Sequence, residues 1–89
     1  MAAHATHPDI IKRLKRAEGH LRSIVEMIEQ GRDCLELAQQ LQAVEKAISN
    51  AKKTLVHDHL DHCLDLAVGA DAKKSKASIM DFKEITKYL

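Results

Sequence analysis

The sequence predicts an all-α fold, a protomer of three helices in which the second is unusually long. Three observations carry that reading. Apolar residues recur at alternating spacings of three and four, the signature of a helix face. No Gly or Pro interrupts the chain between Gly31 and Gly69. With one Phe, one Tyr and no Trp, any core is built from Leu, Ile, Val, Ala and Met, which suits interlocking helices.

The first helix is expected over residues 8–30. Pro8 suits a first helical turn, where its missing N–H costs nothing. Ile10, Leu14, Ala17, Leu21, Ile24 and Ile28 then form a heptad-like stripe. Gly19 lies inside the helix at a modest cost in propensity, and a close helix contact is the reason expected for it. Gly31 and Arg32 supply a short turn. Asp33 is a good N-cap, with Glu36 three residues later completing a capping-box pair.

The second helix is expected over 34–66, with Leu37, Leu41, Val44, Ile48, Ala51 and Leu55 as its stripe. A helix of that length belongs in a bundle or coiled coil. GADAKKSKAS reads as a polar linker. A short third helix follows over 78–89, capped by Ser78, with Ile79, Phe82, Ile85 and Leu89 on one face. Residues 1–7 are expected to be a flexible arm.

At 89 residues the chain is one domain, near the lower size limit for folding alone. With so few large anchors, oligomerisation is the expected source of the missing burial. MAAHATHP lacks the basic stretch and apolar region of a signal peptide, and no apolar run is long enough to cross a bilayer. The cytosol is therefore the expected compartment, where Cys34 and Cys63 would be reduced thiols. One structural disulfide between them stays open.

HDHLDHC, residues 57–63, concentrates three histidines, two aspartates and a cysteine. His59 and Cys63 are spaced i, i+4 and share a helix face. A thiolate beside an imidazole suits Zn(II), Ni(II), Co(II) or Cu(I) far better than Mg or Ca. Two donors do not make a tight site, and Cys34 is the obvious third. On one continuous helix, however, 25 residues separate it from His59, roughly 37 Å at about 1.5 Å per residue. Metal–ligand bonds are only about 2.0–2.3 Å long. A three-donor site from these residues must therefore lie between antiparallel subunits, two sites per dimer. His4 and His7, near the amino terminus, could add a further donor. The plain alternatives are a buried, inert Cys34 and a polar helix surface rich in histidine. His57 and His62 fit that alternative, since they do not share the His59/Cys63 face. His20 sits among basic residues and is given no metal role.

Between Pro8 and Arg22 the chain carries Lys12, Arg13, Lys15, Arg16 and Arg22 against Asp9 and Glu18. Five minus two is +3, in a protein whose total is +1. Lys46, Lys52 and Lys53 extend the positive surface onto the second helix. This is either a solvated helix face or a phosphate-binding footprint. No helix-turn-helix, zinc finger or aromatic platform is recognisable. No nucleophile–base–orienter arrangement is apparent either, which argues against an enzyme.

KRLKRAEGHLRSI, a Cys opening a long helix within CLELAQQLQAVEKAI, and HDHLDHC together resemble the CsoR/RcnR/FrmR family of bacterial metal- or aldehyde-responsive repressors. The resemblance covers nearly the whole chain. It implies an antiparallel four-helix-bundle dimer, usually paired into a tetramer, that binds operator DNA and releases it when its effector binds. It implies a primary cysteine at Cys34, a ligand pair at His59 and Cys63, and a basic first helix containing Arg13 and Arg16. The family's N-terminal ligand position falls on Ala2, with His4 two residues away. Its second-helix Arg falls on Glu45, beside Lys46.

The Cys–His–Cys set is similar to that of the copper branch and to that of nickel sensors with an N-terminal His. The Tyr and supporting Glu of the copper branch fall on Asp33 and Ile79, which favours Ni(II) or Co(II) over Cu(I). The formaldehyde branch differs at position 63, where it carries a carboxylate, and in its N-terminal Pro. The expectation is thus a repressor that meets DNA through Lys12, Arg13, Lys15, Arg16 and Lys46. Ni(II) or Co(II) at Cys34, His59 and Cys63 would release it. Cu(I) sensing, thiol or persulfide sensing and aldehyde sensing are the alternatives on the same fold. A metal-storage bundle without DNA is the alternative from another class.

Overall fold

The structure, a computed structural model, describes residues 6–69 and 72–89; the side chains at 63, 66–69 and 72–75 lie outside that description. Three helices follow one another: α1 (His7–Glu29), α2 (Cys34–Gly69) and α3 (Ala72–Ile85), with a 3-10 turn at Thr86–Tyr88. All-α architecture is as the apolar spacing predicts.

The α1–α2 connection is a tight reversal. Gly31 takes φ +73°, a left-handed conformation that a side chain would disfavour. The Gly31 N–H donates to the Ile28 carbonyl and the Arg32 N–H to the Met27 carbonyl, both at 3.0 Å, closing the end of α1. Asp33 then starts α2, its Oδ1 accepting from the Leu35 N–H at 3.1 Å. Glu36 does not complete the expected capping box; its carboxylate is taken by the Arg32 guanidinium.

α1 returns antiparallel along the first half of α2. His20 meets Gln40 across the interface, so residues whose numbers sum to 20 + 40 = 60 stand nearly level. Ile10, Ala17 and Ile24 are buried on α1, and Val44 and Ala51 on α2. Ile10 with Ala51 and Ala17 with Val44 keep that register. The spacing is seven in both helices, so one edge of each predicted stripe forms the seam. α3 packs on the second half of α2, also antiparallel, with His59 level with Asp81. The start of α1 and the end of α3 therefore reach the same level of α2, around residues 53–55.

The other edge of each stripe is uncovered. Leu14, Leu21 and Ile28 on α1, and Leu41, Ile48 and Leu55 on α2, are exposed. The molecule measures 59 × 23 × 13 Å with a radius of gyration of 18.1 Å. A compact chain of this length would have about 12 Å.

Several further expectations change. α3 begins at Ala72, not 78, so most of the expected linker is helix and Ser78 lies inside it. The physical reason is that Ala and Lys are good helix formers, and a run of like charge does not by itself break a helix. Phe82 and Ile85 of α3 are part-buried, whereas Ile79 and, beyond the helix and its 3-10 turn, Leu89 stand exposed. His7 belongs to α1 rather than to an arm, and α2 runs to Gly69. A Cβ at Gly19 would meet nothing within 4 Å, so no close helix contact explains that glycine within the protomer.

Candidate functional site

Helix α2 positions two of the predicted metal donors and keeps them apart. Cys34 is its first residue and its side chain is exposed. His59 lies 25 residues further along the same unbroken 36-residue helix, roughly 37 Å away at the usual rise. Cys63 follows one turn beyond His59; its backbone is helical and its side chain lies outside the described residues. His4 lies outside them altogether. His7 opens α1 and is half-buried. Among the described residues, no three His, Cys, Asp or Glu side chains gather in a way that could hold a metal ion.

His59 has a neighbour that the sequence did not reveal. Its Nε2 lies 2.7 Å from Oδ2 of Asp81 on α3. An ionised carboxylate can only accept, so in the neutral imidazole this contact places the proton on Nε2. That tautomer is what a metal-binding histidine held by a carboxylate adopts. Asp81 lies two residues beyond Ile79, the position on which the supporting Glu of the copper branch falls. Asp81 stands three residues after Ser78 and four before Ile85, on the packed side of α3. A helix starting only at 78 gives no reason to look for a partner there.

His20 joins the two helices. Its Nε2 is 2.6 Å from Gln40 Oε1 across the α1–α2 seam. His57 and His62 are exposed on α2.

The basic residues divide. Lys12, Arg13 and Arg16 line a surface hollow of about 420 Å³ between α1 and α2, together with Asp9, Ala17, His20, Ala47 and Asn50. Small side chains at Ala17 and Ala47 leave the space, and the long cationic ones rim it. Lys15 and Lys46 are exposed but do not line it. Inside the hollow, the Arg13 Nε–H donates to Asp9 Oδ2 at 2.8 Å. Sequence reasoning singled out neither Asn50 nor this pairing. The i, i+4 spacing of Asp9 and Arg13 was the available signal.

Residues 6–89 match the family model described as metal-sensitive transcriptional repressor. The copper-sensing transcriptional repressor RicR of Mycobacterium tuberculosis is 40% identical over 72 residues, 75% of each chain. The copper-sensing transcriptional repressor CsoR of Bacillus subtilis is 38% identical over 80 residues, 88% of this chain and 79% of that one. The solved structure of the nickel-responsive transcriptional regulator InrS has the same fold. It superposes with a TM-score of 0.82 over 100% of this chain and 99% of that one, at 24% identity. A family model spanning all but the first residues, with relatives at this identity, establishes the kinship: the chain belongs to the CsoR/RcnR family of metal-sensitive transcriptional repressors.

Proposed function

We propose that the protein is a cytoplasmic repressor that holds operator DNA in its metal-free form and releases it on binding Ni(II) or Co(II) between subunits. The observation that carries the metal reading is His59, on a helix that parts it from Cys34, with Asp81 holding its Nε2.

The bare edge of α2 supports the subunit arrangement. Leu41, Ile48 and Leu55 repeat every seven residues, and all three are exposed in the protomer. Pairing two such edges antiparallel about Ile48 sets each residue level with one whose number completes 48 + 48 = 96. Leu41 then meets Leu55 of the second copy. Cys34 comes level with position 62, between His59 and Cys63. One apolar repeat thus gives both a dimer seam and a Cys–His–Cys grouping at each end of it. Pairing of such dimers into a tetramer would follow the family.

The donor set fits a soft or borderline ion, with two thiols and one imidazole whose orientation is held from behind. Bound there, the ion would supply a cross-link between the two subunits. Ni(II) and Co(II) accept further nitrogen donors, which His7 or His4 would supply. The α1 register sets His7 level with residue 53, about 9 Å along α2 from His59 at the helical rise. The three residues from His7 back to His4 can span about that distance.

The Lys12–Arg13–Arg16 hollow lies on the first turns of α1, so tension on the start of that helix reaches the cationic rim directly. That nearness is the proposed coupling between effector and DNA. A cationic groove of this kind binds phosphates, with salt-dependent affinity.

A second reading replaces the ion with Cu(I), held by Cys34, His59 and Cys63 alone. It is favoured by the copper-sensing relatives and by the carboxylate support that Asp81 restores to His59. One experiment tests both. Duplex DNA selected from a random pool by the metal-free protein is bound, then titrated anaerobically with Ni(II), Co(II), Cu(I) and Zn(II). Release by Ni(II) or Co(II) with d–d absorption bands supports the first reading, and release by Cu(I) without them the second. Failure to select any DNA at low salt would leave a metal-binding bundle and refute the repressor.

A further inference from the structure

The hollow between α1 and α2 contains one anion among its cations. Among the described residues, Asp9 is the only carboxylate lining it, beside Lys12, Arg13 and Arg16. Its Oδ2 accepts from Arg13 Nε at 2.8 Å, and both side chains remain about half exposed. A phosphate oxygen entering the hollow would compete for that same guanidinium. Resting on the proposed DNA-binding role of this surface, we infer that Asp9 is an internal competitor for the DNA backbone. It occupies Arg13 in the free protein and holds operator affinity below what the cations alone would reach.

The chemistry favours competition over a fixed structural bridge. An exposed i, i+4 pair is weak and screened by salt, so a phosphate can displace it. Arginine binds carboxylate and phosphate through the same donor fork, so the two anions are alternatives at one site. Asp9 also lies in the first turn of α1, where a carboxylate favours the helix dipole. Loss of that dipole effect would appear in stability, whereas competition appears in DNA affinity. The consequence for regulation is direct. A repressor held less tightly needs a smaller push from its effector to let go.

The metal-free full-length protein is measured against its selected duplex by fluorescence anisotropy at several salt concentrations. Asp9→Asn is expected to bind about threefold to tenfold more tightly, the scale of one exposed ion pair counted on two protomers. Its salt dependence should steepen, because Arg13 then displaces counterions it previously could not. Asp9→Glu, which keeps the charge, should stay close to the parent. Glu18→Gln removes an equal charge from α1 outside the hollow, where Glu18 approaches Arg22 at 3.9 Å. It should change affinity by less than about twofold. In an Arg13→Gln background, Asp9→Asn should lose most of its effect. Unchanged affinity in Asp9→Asn, or the same gain with and without Arg13, would overturn the inference while leaving the DNA-binding role standing. A parent protein that binds no DNA at low salt would remove both. Thermal melts of each variant separate these outcomes from loss of fold.

Discussion

His59 and Asp81 lie 22 residues apart in sequence and 2.7 Å apart in space, joining the far half of α2 to α3. The link sets which imidazole nitrogen faces the carboxylate, and it ties the proposed metal donor to the last helix. Any shift of His59 on binding an ion would therefore be felt by α3.

Replacing Asp81 with Asn or Ala should weaken metal binding about 10- to 100-fold, the usual cost of losing the outer partner of a metal-bound histidine. DNA affinity of the metal-free protein should stay within about twofold, because Asp81 is remote from the cationic hollow. Competition titration against a chelator measures the first quantity and anisotropy the second. Unchanged metal affinity would mean that His59 is a surface histidine with a convenient neighbour.

Subunit mixing tests the intersubunit site without solving an assembly. Cys34→Ala and Cys63→Ala homodimers should each fail to release DNA when metal is added. A mixed dimer contains one intact grouping, Cys34 from one chain with His59 and Cys63 from the other. Co-refolding the two variants should restore metal binding at up to one ion per mixed dimer, read by absorbance. Full metal response in the Cys34→Ala protein alone would contradict the proposed mechanism.

Ile48 and Ile24 should fail in different ways. Ile24 is 2% exposed within the protomer, and Ile24→Ala should cost about 2–5 kcal/mol of stability. Ile48 is 41% exposed in the protomer and lies at the centre of the proposed seam. Ile48→Glu would set two like charges across the two-fold axis and should shift the protein to monomer in sedimentation experiments. A dimer unchanged by Ile48→Glu would displace the seam from this edge.

Arg16→Gln should lower affinity for selected and unrelated DNA alike, since a side chain on a phosphate carries no base information. The logarithmic salt slope should flatten by about 1 for each phosphate no longer neutralised. Lys15→Gln, outside the hollow, should have the smaller effect. Equal effects would point to a diffuse positive surface rather than a groove.

Much of the protein is legible in its residues because helix formation is local. The stripes of α1 and α2, the reversal at Gly31 and the Asp33 cap follow from spacing and backbone preference. The separation of Cys34 from His59 needs only the rise of an uninterrupted helix. The start of α3 was not legible in the same way, because AKKSK carries two opposed local signals. Its charge suggests linker while its residues favour helix, and the helical preference prevails. The face of α3 and the position of Asp81 depend on that decision.

The sequence alone determined the helical class, the unbroken helix that separates Cys34 from HDHLDHC, and the basic charge of α1. These depend on periodicity and covalent spacing. Tertiary structure decided which edge of each stripe is buried, which basic residues share a hollow, and which carboxylate meets His59. Asp9 and Arg13 are one helical turn apart, yet only the packing of α1 on α2 puts them inside one groove. His59 and Asp81 meet only because α3 folds back in one particular register. Such contacts join separate elements, and helix rotation and register are set by the sum of packing across a seam rather than by any one residue in it.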